Sequence, residues 1–424
     1  MEFLVKPSSL SGAVNIPGSK SHTIRALVFG LLGEGESIIE YPLDSSDTRS
    51  CLNMIRKFGG RAEICDTVWK VYGTGGALAV PDDVVDIGNS GTSLYIGLGI
   101  ASLTDGFTVY TGDHQIRSRP ADGLVASINQ LGGTAFSTRN NGMPPIAVKG
   151  KIAGGETEIR AITSQYLTSL LIAAPLATGD TVLRVPLLNE KPYVTMTLRW
   201  LDRLGIRYVN KNYERFEIPG GQKYPSFREH IPADFSSATF FLVAAAITGS
   251  ELTLRGLDCN DTQGDKEVLN TLKRMGAEVH IGDKEITIRG RELTAGTFDL
   301  NAMPDSLPAL AVAACFASGE TRLVNVAQAR LKETDRISVI CGELAKMGAD
   351  IEERPDGLVI RSSRLRGCGV SGHHDHRIAM ALAVAGLAAK GETRVDTAES
   401  VSVTFPDFQF LLETIGGNIK RTEK

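Results

Sequence analysis

The stretch Pro17-Gly18-Ser19-Lys20-Ser21-His22-Thr23-Ile24-Arg25 decides how the rest of the chain is read. A Pro-Gly turn enters a run whose apolar residues (Ile24, Leu27, Val28, Leu31, Leu32) recur at helical spacing, which predicts a helix from Lys20. Lys20, Ser21 and Arg25 then lie at its start or one turn inside. Backbone N–H groups there have no helical partner, and the helix dipole adds partial positive charge. Two cations and a hydroxyl at such an end make an anion site. By itself the stretch is also readable as an ordinary Ser-capped helix with solvated charges. Its repetition along the chain is what gives it weight.

Polar helix starts return at Gly88, Thr163, Asp234, Asp305 and His373, each followed by an apolar helix, a Gly-containing turn and a short strand. A second helix follows and stops at Gly59, Gly132, Gly205, Gly276, Gly348 or Gly416. Glycine just past each helix is predicted to be a left-handed cap. Most copies then add two alternating segments, such as Ala277 to Ile281 and Glu285 to Arg289. Each copy reads strand–helix–strand–helix–strand–strand in a cyclic sense.

The sixth copy runs out of chain before its last strand. Glu2 to Val5 and Gly12 to Ile16 are predicted to form a hairpin that completes it. Residues 1–19 then group with 233–424 as a C-terminal lobe, and residues 20–232 form an N-terminal lobe. The double crossing would be a double hinge. The first helices are apolar without interruption (Phe240 to Ile247, Ala309 to Ala317, Ile378 to Ala389), so burial all round is predicted. Helices inside and sheets outside make an α/β (α+β) architecture: a two-domain inside-out barrel with three βαβαββ units per domain. A linear solenoid is the competing arrangement, but units that bury their own helices fit paired globular domains better.

Length agrees, since 424 residues are too many for one ordinary core. Apolar content of 42% with 22% charged residues describes a soluble globular protein. A net charge of -4 argues against a nucleic-acid binder, so cations for an anionic ligand must be clustered locally. Cys51, Cys65, Cys259, Cys315, Cys341 and Cys368 form no C-x-x-C pair. They read as buried free thiols, and no metal or other cofactor is expected. Met1 to Ser9 has no signal-peptide pattern and the longest apolar runs are too short to span a bilayer. No membrane association and a cytoplasmic setting are expected.

Capping explains the Ser, Thr, Asn and Asp residues at the first-helix starts, but not Lys20, Arg25 and Arg377, which the dipole disfavours there. Cations placed against the dipole point to a bound anion. If the buried helices of each domain run parallel, their amino ends share one face, and two such faces across a hinge would form a cleft for polyanionic small molecules. Arg117-Ser118-Arg119-Pro120 adds guanidinium groups suited to carboxylate or phosphate. Lys332-Glu333-Thr334-Asp335-Arg336 is readable either as site residues or as a capping box with surface ion pairs. Asp375-His376-Arg377 is open to the same two readings. G-x-x-x-x-G-K-[ST] and a post-strand G-x-G-x-x-G are both absent, which disfavours those nucleotide folds.

In these stretches the chain resembles the 5-enolpyruvylshikimate-3-phosphate synthases of the enolpyruvyl transferase family. The resemblance runs through Gly18 to Ser21, Gly88 to Thr92, Arg119-Pro120, Ser164 to Tyr166 and Lys191 to Tyr193. It continues in Pro304-Asp305, Lys332 to Arg336, Asp375 to Arg377 and Thr404 to Asp407. It implies a metal-free transfer between two small-molecule substrates, shikimate 3-phosphate and phosphoenolpyruvate, with a monomer expected. It implies that Ser21 and Arg25 hold the shikimate carboxylate and Thr163 and Ser164 its phosphate. Gln165 would lie beside the ring, with Asp305, Gln328, Lys332 and Lys20 completing the acceptor site. Lys20, Gly91, Arg119, Gln165, Arg336, His376 and Arg377 would hold phosphoenolpyruvate. Asp305, Glu333 and Lys20 would be catalytic, with Asp305 as base and Glu333 as acid. The bare Gly91 would leave room for glyphosate.

Four positions depart from the family's usual residues: Tyr95 for Arg, Glu190 for Ser, Gln328 for Asn and Val403 for Lys. Two cations are lost, and Glu190 beside a phosphate would repel it unless it pairs with Lys191 or Arg184. Two alternatives stay open: transfer to another acceptor such as UDP-N-acetylglucosamine, and a catalytically silent anion-binding relative. Against the first, Asp113 to Ser118 lacks the Cys usual in that group. Against the second stands retention of Lys20, Asp305, Glu333 and Arg377.

Overall fold

The computed structural model describes residues 1–423. The chain divides into two compact units: Met1–Pro17 with Pro232–Lys424, here the C-terminal unit, and Gly18–Ile231, the N-terminal unit. The α-helices of the N-terminal unit are α1 (Lys20–Leu32), α2 (Ser46–Lys57), α3 (Gly91–Ala101), α4 (Asp122–Gln130), α5 (Ser164–Ala173) and α6 (Lys191–Arg203). Those of the C-terminal unit are α7 (Phe235–Thr248), α8 (Val268–Arg274), α9 (Leu307–Cys315), α10 (Arg336–Lys346), α11 (His376–Gly386) and α12 (Phe408–Thr414).

Six four-stranded sheets repeat one strand order. A lead-in strand pairs parallel with the strand after the first helix, which pairs antiparallel with the last strand, which pairs with the third. In the fifth copy these are Thr297–Asp299, Glu320–Val324, Gly357–Arg361 and Asp350–Arg354. One face of each sheet is buried, as in Glu251–Arg255, where Leu252 and Leu254 point to the core. The first helices have no exposed face to offer. Phe235 through Ala246 of α7 are all buried, as are all residues of α3, α9 and α11. In the C-terminal unit α7, α9 and α11 pack against one another, and in the N-terminal unit α3 packs on both α1 and α5. Second helices such as α2 bury one side only. Each unit therefore has helices within and sheets without.

The predicted opening hairpin does not form. Glu2–Lys6 completes the sixth sheet between Thr393–Asp396 and Asn418–Thr422. Ser11–Asn15 instead lies parallel to Glu251–Arg255 and is the lead-in strand of the fourth. Pro7 interrupts the link between them, and there is no two-residue turn of the kind that sets a hairpin register. Each segment fills a different gap: the sixth copy lacks its last strand and the fourth its first. Correspondingly, the first sheet takes Arg228–His230 as its lead-in strand.

The glycine caps also divide. All six glycines after second helices are left-handed, with φ between 69° and 110°. Among the first helices, Gly249 (φ 67°) caps α7, whereas Gly33 (φ -70°) passes straight from α1 into extended chain. Burial of the cysteines is narrower than expected. Cys51 and Cys315 are buried, and burial pushes both thiols up to about 12. Cys65 is exposed and the other three are half-buried. No helix among the described residues is long and apolar enough to cross a membrane.

Candidate active site

In the C-terminal unit the three first-helix amino ends converge. Arg377, in the first turn of α11, donates through Nη2 to Ser236 Oγ at 2.8 Å and through Nη1 to the Ser236 carbonyl at 3.2 Å, near the start of α7. The same guanidinium lies 3.2 Å from Asp305 Oδ2, in the turn that leads into α9. Arg336 opens α10 and is 1% exposed. It donates to Asp305 Oδ1 at 2.7 Å, to Asp375 Oδ2 at 2.8 Å and to Asp375 Oδ1 at 3.2 Å, and it also bonds Glu333 Oε2. Lys332 Nζ stands 3.9 Å from Asp305 Oδ1.

Burial by itself would weaken the Arg336 cation, but Asp375, Glu333 and Asp305 outweigh it and hold its pKa above the ordinary guanidinium value. Arg377 is raised too, with burial and Arg336 opposing and Asp305, Asp265 and Asp234 favouring its charge. Asp375 is the hub of this cluster. It caps α11 through the Arg377 N–H at 2.9 Å and takes the Thr334 hydroxyl at 3.0 Å. His376 is buried behind it, Nδ1 4.0 Å from Asp375 Oδ1. Gln328 is buried and its amide donates to the Asn301 carbonyl at 3.1 Å, outside the charged contacts. The surface-ion-pair reading is thereby overturned for Arg336, which is enclosed, whereas Asp335 caps α10 through the Ser338 N–H at 3.0 Å and pairs with Arg330 at 2.6 Å.

In the N-terminal unit, Lys20 Nζ lies 3.1 Å from Asp47 Oδ2 in the first turn of α2. Arg25 is buried. Its guanidinium donates to Thr197 Oγ1 at 3.0 Å, to the Ser21 carbonyl at 3.0 Å and to the Tyr193 carbonyl at 3.1 Å, and a longer contact reaches Thr168 Oγ1 at 3.4 Å. Gly91 begins α3 against the buried Arg119. A Cβ built on it would overlap Arg119 Nη1 and lie 3.8 Å from Gln165 Oε1. The amino ends of α3 and α5 thus lie close together, with Arg119 against the start of α3. The Pro120 carbonyl next to Arg119 accepts two phenols, Tyr95 at 2.9 Å and Tyr166 at 2.6 Å. Tyr95 therefore braces the Arg119-Pro120 segment.

Thr163 caps α5, and Thr163 and Ser164 both turn toward Glu190. Glu190 Oε2 accepts from Ser164 Oγ at 2.7 Å, from the Ser164 N–H at 3.2 Å and from Thr163 Oγ1 at 3.3 Å. The expected partners lie elsewhere: Arg184 is bonded to Glu156, and Lys191 Nζ stands 4.2 Å over the Tyr213 ring. Val403 ends the short 3-10 turn Ala398–Val403.

Several of these partners carry no sequence signal. Asp47 looks like an ordinary first-turn acid, and Thr168 and Thr197 are hydroxyls inside helices. Only the crowding of cations at helix starts could have hinted that buried acceptors were nearby.

A family model described as EPSP synthase (3-phosphoshikimate 1-carboxyvinyltransferase) matches residues 4–412. The chain belongs to the EPSP synthase family. Similar curated relatives named 3-phosphoshikimate 1-carboxyvinyltransferase come from Acetivibrio thermocellus (56% identical over 423 residues, 100% of both chains) and Ruminiclostridium cellulolyticum (54% over 420 residues, 99% of this chain and 100% of the relative). A solved EPSP synthase from Acinetobacter baumannii superposes with a TM-score of 0.83 at 29% identity, covering 100% of both chains. EPSP synthase membership agrees with the inside-out, two-domain fold built of repeated units.

Proposed function

We propose that this chain transfers the enolpyruvyl group of phosphoenolpyruvate to the 5-hydroxyl of shikimate 3-phosphate and releases inorganic phosphate, a step of the shikimate pathway to aromatic amino acids. The observation that carries the reading is the Asp305 carboxylate held between Arg336, Arg377 and Lys332, in a chain whose family match is nearly end to end.

The roles follow from the chemistry. The acceptor hydroxyl must lose a proton as its oxygen bonds C2 of phosphoenolpyruvate, while the methylene gains a proton. Loss of a proton and of phosphate then regenerates the double bond. Asp305 takes the hydroxyl proton, and Glu333 serves the methylene. Arg336, Arg377, His376, Arg119, Lys20 and Gln165 hold phosphoenolpyruvate, with bare Gly91 giving the clearance. Ser21 and Arg25 hold the shikimate carboxylate, Thr163 and Ser164 the phosphate, and Gln165, Lys20, Lys332 and Gln328 the rest of the acceptor. Fixed cations supply proximity and charge stabilisation. In this reading the chain works as a cytoplasmic monomer.

The test is direct: phosphoenolpyruvate and shikimate 3-phosphate are mixed with the protein, with phosphate release and product mass as readouts. Turnover with UDP-N-acetylglucosamine and none with shikimate 3-phosphate would replace this reading by the other acceptor.

A further inference from the structure

Glu190 stands where the proposed acceptor phosphate would be received. It precedes α6 in a left-handed backbone conformation (φ 56°, ψ 41°), and its side chain makes no capping bond to that helix. The carboxylate reaches instead across to α5, where Thr163 Oγ1, Ser164 Oγ and the Ser164 N–H all donate to one oxygen. Glu190 and Ser164 are each 2% exposed, so water screens this contact little. A capping role would have been met by an oxygen on the first N–H groups of α6. What is found is an anion of the chain's own on the donors of a neighbouring helix start.

A carboxylate and a phosphate carry the same sign and seek the same donors, and an enclosed site cannot hold both on one set. We infer that Glu190 is an internal competitor for the acceptor's phosphate: entry of the phosphate requires the carboxylate to leave Thr163 and Ser164, and Glu190 thereby sets acceptor affinity. The inference rests on the assignment of Thr163 and Ser164 to that phosphate. Two consequences follow. Removing the carboxylate strengthens acceptor binding without touching phosphoenolpyruvate. It also leaves the Ser164 N–H without its carboxylate acceptor in the ligand-free protein, which loses stability until an anion is supplied.

The experiment compares wild type with Glu190→Ser and the isosteric Glu190→Gln. Glu190→Ser is expected to lower KM for shikimate 3-phosphate roughly ten- to a hundredfold, the range spanned by one charge-assisted hydrogen bond. KM for phosphoenolpyruvate stays where it was. Glu190→Gln, which keeps the shape without the charge, falls between. In thermal melts with inorganic phosphate as the probe, Glu190→Ser starts below wild type and gains more from phosphate than wild type does. Unchanged or raised KM for shikimate 3-phosphate in both variants overturns the inference. If wild type releases no phosphate from the two substrates, the functional reading fails separately. The melts then decide alone: an equal phosphate response in all three proteins overturns the competitor, and a selective gain in Glu190→Ser upholds it.

Discussion

Replacing Asp375 by Asn tests whether the charged cluster of the C-terminal unit is held from within. Asp375 is fully buried and accepts from Arg336 at 2.8 and 3.2 Å, from Thr334 at 3.0 Å and from the Arg377 N–H at 2.9 Å. Asn is as good an N-cap as Asp and nearly the same shape, so the cap of α11 survives while the charge is removed. One side-chain oxygen also becomes a donor facing other donors. Removing one partner of a buried ion pair costs about 3–5 kcal/mol. Asp305 and Glu333 still face Arg336, so the lower end, about 3 kcal/mol, is expected. Urea unfolding followed by far-UV circular dichroism measures it. Both tryptophans, Trp69 and Trp200, lie in the N-terminal unit, so their fluorescence serves as the internal reference for the unit left untouched. Amide hydrogen exchange should show lost protection in α10 and α11 first. A shift below about 1 kcal/mol, the worth of an exposed pair, would refute the claim that Asp375 is a buried hub.

Three further outcomes are expected. Gly91→Ala drives a methyl into Arg119 Nη1 and to within 3.2 Å of its Cζ; KM for phosphoenolpyruvate should rise about tenfold or more, glyphosate should lose potency with it, and unchanged values would show that the guanidinium yields freely. Asp305→Ala should lower kcat by about 10²–10⁴-fold, the usual worth of a general base, while calorimetry still detects phosphoenolpyruvate-dependent ligand binding; near-normal turnover removes Asp305 from its role. Glu343 is buried, which would raise its pKa, but His373, Lys346 and the Ser371 N–H overcome this and hold it below the ordinary carboxylate value. A depressed folded pKa stabilises fully above the unfolded value, about 4.3, and the gain is lost as pH falls through the folded value. The stability gap between wild type and Glu343→Gln should therefore be complete at neutral pH and close in acid, and a gap that widens on acidification contradicts the assignment.

What could be read in advance was whatever is written locally. A polar start, an apolar run and a glycine stop lie within one copy, so six repeats were legible from Lys20 onward. The partner of Ser11–Asn15 was not, because it is chosen by which sheet lacks an edge, Glu251–Arg255 being far along the chain. The same limit applies to the site. Lys20, Arg25 and Arg377 stand out in the sequence as cations set against helix dipoles, an oddity that points to an external anion. The structure answers part of the need internally, with Asp47 on Lys20, Asp305 on Arg377, and Asp305, Glu333 and Asp375 on Arg336. Those carboxylates come from other helices and turns, and their types are equally at home as caps. The distinction bears on function: a guanidinium already bonded to carboxylates is pre-positioned and stays charged when enclosed. The anion it receives then meets an oriented donor set, and the cost of ordering has been met in folding and not at binding. Glu190 is the counterexample inside the same molecule, an internal anion placed on the helix-start donors of Thr163 and Ser164, and it should oppose the ligand where the others prepare for it.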